Sequence, residues 1–105
     1  ICMCHGGGSF FWSLPRIRTM LARRHDRDTV AQMIAGITSV FVDTASLDGS
    51  NLRYLFEHLD TTRVLIGSDY PATAGESPVE LLDDLSADTR TALASTNAER
   101  FLGIG

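Results

Sequence analysis

The chain has 105 residues, 44% of them hydrophobic and 21% charged, with a formal net charge of −4; that length allows at most one domain with a modest core. No run approaches the roughly 20 apolar residues of a membrane-spanning helix, and no signal-peptide pattern is present, so no membrane partner is indicated. The mild acidity argues against nucleic acid, since Arg23-Arg24 is the only adjacent basic pair.

All nine basic residues are arginine, a bias that genomic base composition produces as readily as function. The chain opens directly on the apolar run Ile1-Cys2-Met3-Cys4. That reads as entry in mid-strand, and a piece of a longer protein is the expectation. Cys2 and Cys4, the only cysteines, stand one residue apart on an extended strand and point to opposite faces. Two small apolar residues, rather than a disulfide or a shared zinc site, fit that spacing. A reducing, cytoplasmic setting agrees with it.

In chain order, strand and helix alternate. Ile1–Cys4 predicts a strand that runs into the loop His5-Gly6-Gly7-Gly8. A helix follows from about Leu14 to Arg24, with Leu14, Ile17, Met20 and Leu21 at helical spacing. Asp28 can cap a second helix that carries Val30, Met33 and Ile34 and stops at Gly36. Ile37–Val42 is β-branched and apolar and predicts a second strand, ending in Asp43-Thr44. Ser50 or Asn51 opens a helix with Leu52, Leu55, Phe56 and Leu59 on one face. Arg63–Ile66 is the third strand. After a loop over Ser68–Ser77, Ser77 and Pro78 begin a helix, Ser86 caps one over Asp88–Ala94, and Asn97 starts a last one that Gly103 ends. Strands separated by helices of this length imply parallel β/α units, an α/β fold.

Acids and an imidazole recur at strand ends: His5, Asp43 and Asp69. In a β/α barrel that face carries the active site. Asp69 follows the buried run Val64-Leu65-Ile66-Gly67, where a carboxylate is costly unless a cation meets it. It is the leading candidate for a metal or catalytic ligand, a turn-capping Asp being the alternative. The glycines after His5 leave its ring unobstructed, free to bind a metal or move a proton; a turn-capping histidine is the competing explanation. Asp43 either orients a neighbour or caps the next loop. Arg16 and Arg24 follow the glycine loop and could hold a carboxylated substrate, or simply line a solvated helix face. His25 and His58 fall on helices among charged neighbours as surface residues. The His-Gly-Gly-Gly run is also like an esterase oxyanion loop, but no Gly-x-Ser-x-Gly elbow follows it. No phosphate-binding glycine motif is present either.

Four blocks in order carry a resemblance: His5-Gly6-Gly7-Gly8 with Arg16-Ile17, Phe41-Val42-Asp43-Thr44, Val64 to Pro71, and Asn97 to Gly103. Together they resemble the C-terminal part of the amidohydrolase-related family that includes aminocarboxymuconate-semialdehyde decarboxylase, over nearly the whole chain. The resemblance implies that residues 1–105 are a C-terminal fragment, about three β/α units, of a metal-dependent (β/α)8 TIM barrel. A full barrel takes about 250 residues. It implies Asp69 as metal-ligating aspartate and His5 as the active-site histidine. It places Arg16 and Arg24 near the substrate or a subunit interface, and leaves Asp43 without an assigned role. The implied cofactor is a divalent metal, usually zinc, and the implied partners are a small carboxylated substrate and, in the full-length protein, a second subunit. The family's His-x-His pair and further histidine have no match here, so the chain alone is expected to hold no metal and to be inactive. The implied activity is that of a decarboxylase or hydrolase. A lactonase or hydratase of the same superfamily is the first alternative; a non-catalytic remnant or assembly module is the second.

Overall fold

Three apolar runs pair side by side in parallel, which requires each to be joined to the next by a long crossover. The computed structural model describes residues 1–68, 70–71 and 78–105. Strands β1 (Cys2–Met3), β2 (Phe41–Asp43) and β3 (Val64–Leu65) form one sheet in that order. Met3 lies opposite Val42, and Val42 opposite Val64. These three share one face, and Val42 and Val64 are fully buried on it against the helices. Cys2, Phe41, Asp43 and Leu65 share the other face and are half-buried. No described helix is long and apolar enough to cross a membrane.

The first crossover holds two helices. Helix α1 (Phe10–Ala22) starts four residues before the expected Leu14. Phe11 is buried there with Leu14, and Phe10 packs edge-on against it at 5.0 Å, so burial extends the helix back through Pro15. Helix α2 (Arg27–Ile37) is capped by Asp26, not Asp28, and the Asp26 carboxylate accepts the Thr29 N–H at 2.9 Å and its hydroxyl at 2.7 Å. Asp28 sits in the first turn, where a negative charge suits the helix dipole. The helix runs past Gly36 to Ile37, which continues the apolar stripe of Val30 and Ile34. Strand β2 therefore begins at Phe41, later than expected.

Helix α3 (Gly49–His58) is capped by Asp48 rather than Ser50 or Asn51. Its carboxylate accepts the Ser50 and Asn51 N–H groups, each at 2.9 Å, while Asn51 Oδ1 accepts the Asp48 N–H at 3.2 Å. His58, at its end, is half-buried rather than on the open surface, its ring 4.6 Å from that of Tyr54. Asp60 caps a short 3₁₀ turn (Thr61–Arg63) that leads into β3.

These three aspartates carry a pH dependence. Hydrogen bonds hold their carboxyls below the usual range: chiefly from the Thr29 amide for Asp26, the Ser50 hydroxyl for Asp48 and the Thr62 amide for Asp60. A lowered folded-state value means the stabilisation is present above the unfolded carboxylate pKa of about 3.9 and is lost as pH falls through the folded values. Thermal unfolding followed from pH 7 to pH 2 is expected to show a melting temperature falling below about pH 4. Asp48→Asn keeps the cap and removes its share of that fall.

Helix α4 (Pro78–Asp83) places Leu81 in the core; its expected cap, Ser77, lies outside the described residues. Ser86 caps α5 (Ala87–Thr91), its Oγ accepting the Thr89 N–H at 3.2 Å, as expected. The helix does not stop before Asn97. It continues through one wide π turn (Ala92–Thr96) into α6 (Asn97–Leu102), which ends at Gly103 in the left-handed region, φ 72°. Leu93 and Asn97 are fully buried. The Leu93 carbonyl in that turn accepts the Ile66 N–H at 3.1 Å, just past the end of β3. Asn97 Nδ2 donates to the Thr61 and Val64 carbonyls, each at 2.7 Å. The last helix thus grips β3 at both ends.

Candidate active site

Beyond Met3 the backbone turns left-handed. His5, Gly6, Gly7 and Gly8 have φ of 53°, 63°, 77° and 56°. Glycine adopts this region freely, whereas an L side chain there costs about 1–2 kcal/mol. The glycine run is therefore what allows the turn, and His5 is its one strained residue. Gly6 is buried, and a Cβ on it would lie 2.9 Å from Leu47 Cδ1 and 3.1 Å from Leu55 Cδ1. Gly6→Ala is expected to cost about 2–3 kcal/mol, read as a lowered denaturation midpoint.

Parallel pairing puts the ends of β1 and β2 side by side, and there His5 and Asp43 meet. Asp43 Oδ1 accepts the His5 backbone N–H at 2.8 Å and the Ala45 N–H at 3.1 Å. The His5 ring Nδ1 bonds the Ala45 carbonyl oxygen at 3.2 Å. His5 itself is exposed and Asp43 half-buried. On the neighbouring strand ends, the buried Thr44 hydroxyl accepts the Gly67 N–H at 3.1 Å, and the Thr44 N–H donates to the Leu65 carbonyl at 3.0 Å. Burial, and after it the Asp43 carboxylate, pushes the Cys2 thiol up, which keeps it protonated. Cys2 and Cys4 are both free thiols.

A small cavity of about 70 Å³ opens beside His5, floored by Gly6, Phe11 and Leu55 and edged by Asn51 and Tyr54. Arg16, on α1, is exposed and lines a separate surface groove with Thr19, Met20 and Arg23. Arg24 follows α1 and is exposed. Among the described residues no hydrogen bond joins either arginine to His5 or Asp43. The strand ends thus bring together two of the expected site residues, His5 and Asp43, and leave the arginines apart. Asp69 lies outside the described residues. Ala45 enters the site through its backbone alone, so no side-chain chemistry announces it. Its one signal is its place two residues after a strand-end acid.

A divalent metal needs three or more protein ligands. Among the described residues no group of three His, Cys, Asp or Glu could hold one. Asp43 Oδ1 and His5 Nδ1 are already engaged by backbone groups, so the described residues do not on their own fit a metal.

The sequence profile of the amidohydrolase family matches residues 1–104. The 2-amino-3-carboxymuconate-6-semialdehyde decarboxylase of Dictyostelium discoideum is 32% identical over 111 residues, covering 99% of this chain and 31% of that protein. The crystal structure of 5-carboxyvanillate decarboxylase LigW from Sphingomonas paucimobilis superposes with a TM-score of 0.76 at 19% identity, over 100% of this chain and 34% of that one. The chain thus spans about a third of the length of these two proteins, and its parallel α/β units match a segment of a TIM-barrel fold.

Proposed function

This chain belongs to the amidohydrolase family, and from that membership we propose that it supplies part of the active-site face of a metal-dependent decarboxylase acting on a small carboxylated substrate. The observation that carries this reading is His5: an exposed imidazole at a strand end, with one ring nitrogen held by a backbone carbonyl and the other, Nε2, left for chemistry. Decarboxylation breaks the bond between carbon and carboxylate, carbon dioxide leaves, and the electron pair left behind takes a proton. His5 Nε2 holds that proton and delivers it to the carbon. Asp69 is this chain's ligand for a divalent metal, zinc on the family resemblance, and the remaining ligands come from outside the described residues. Arg16 and Arg24, exposed and away from His5, serve a carboxylated substrate at a neighbouring subunit's site. The enzyme works in the cytoplasm.

The test is carbon dioxide release by the full-length protein, with 2-amino-3-carboxymuconate-6-semialdehyde and 5-carboxyvanillate as the first substrates. Release from either supports the reading. Lactone hydrolysis without carbon dioxide overturns it in favour of a hydrolase.

A further inference from the structure

The contacts around His5 close a ring that no part of the reading above uses. Asp43 Oδ1 takes two backbone N–H groups, those of His5 and Ala45. The Ala45 carbonyl takes the His5 ring at Nδ1. One carboxylate thus fixes the peptide on both sides of the imidazole: it holds the His5 main chain, and it holds the residue whose carbonyl faces the ring. A carbonyl oxygen can only accept, so the ring nitrogen opposite it must carry a hydrogen. A neutral imidazole has one N–H, and spending it at Nδ1 leaves Nε2 with a lone pair. His5 also sits at φ 53°, a conformation a histidine does not hold unaided.

We propose that Asp43 is a positioning residue, which locks His5 in its left-handed turn and, through Ala45, in the Nδ1–H tautomer that presents Nε2 as the proton-handling atom. The proposal deepens the role given to His5 and rests on that role only for its effect on turnover. Free imidazole in water favours the other tautomer, Nε2–H, so the protein must supply the preference. Asp43 acts as an acceptor of two N–H bonds, and its charge is secondary. An asparagine carbonyl at the same place can accept the same two bonds.

The test combines ring ¹⁵N chemical shifts of His5, read in the full-length protein at a pH where the ring is neutral, with steady-state kinetics. The native protein is expected to show Nδ1–H, and Asp43→Asn is expected to keep it with turnover within about twofold of native. Asp43→Ala is expected to shift the ring toward Nε2–H and lower kcat by roughly 10–100-fold with KM little changed. Asp43→Ser, too short to reach the His5 amide, replaces the alanine variant if that does not fold. A native Nε2–H ring, an unchanged tautomer in the alanine or serine variant, or an asparagine variant as impaired as alanine would each overturn the proposal. A shifted tautomer with unchanged decarboxylation leaves the positioning role standing and refutes instead the proton role of His5.

Discussion

His5→Asn is expected to lower the decarboxylation rate of the full-length protein by roughly 10²–10⁴-fold, the usual contribution of a positioned acid or base. Asparagine is the informative replacement because it tolerates the left-handed backbone better than alanine or glutamine. The Asp43 clamp on the main chain at position 5 therefore remains, and only the titrating ring is removed. Far-UV circular dichroism and melting temperature should match the native protein, placing the loss in chemistry rather than folding. Turnover above about a tenth of native would show that the proton comes from elsewhere.

Asn97→Asp is expected to be the most damaging conservative change in the chain for stability. Asn97 is 0% exposed and spends both amide hydrogens on carbonyls at 2.7 Å, while its Oδ1 accepts from Arg100 Nη1 at 3.2 Å. A carboxylate at that place donates nothing and faces two carbonyl oxygens. Two buried acceptors lose their donor and a charge is desolvated, for a cost of about 4 kcal/mol or more. Asn97→Leu, of similar volume, strands the same carbonyls without the charge and should cost about 2–3 kcal/mol. The pH dependence separates the two. Burial raises the folded-state pKa of the introduced acid, so its penalty is full above that value and shrinks as pH falls and the acid gains an O–H to donate. The leucine penalty stays flat. Urea midpoints at pH 7 and pH 5 measure both.

Much of the fold was legible in the sequence, and the misses share a cause. The three strands, their parallel order, the Ser86 cap and the Gly103 stop follow from local signals. The caps of α2 and α3 slipped by two or three residues because several polar residues cluster at each helix start. Only side-chain reach decides among them: Asp26 has Thr29 three residues on to answer it, whereas Asp28 has Ala31. Ile37 is β-branched and reads as strand, but its spacing from Ile34 and Val30 places it on the buried side of α2. Nothing in Ala92–Thr96 marks a π turn, so α5 and α6 read as separate helices.

At the site, parallel strand ends made His5 and Asp43 neighbours from the sequence alone. Their actual bond was hidden because it runs through the His5 main chain, which a left-handed turn swings toward the carboxylate. The arginines were chosen for their charge, and charge alone does not say which way a helix turns them.

The wide turn at Ala92–Thr96 also fixes the length of this segment. A π turn accommodates an extra residue in an otherwise regular helix. Deleting Ser95 would let the helix close up as ordinary α and rotate everything after it by about 100°. Asn97 would swing off the Thr61 and Val64 carbonyls, and the Leu93 carbonyl would be drawn back into the helix, away from Ile66. Substitutions on the exposed side, at Ala94 or Ser95, leave these contacts alone. Between Ser86 and Gly103 the chain is thus tolerant in spelling and intolerant in count, and a single-residue gap there would do more harm than several exchanges.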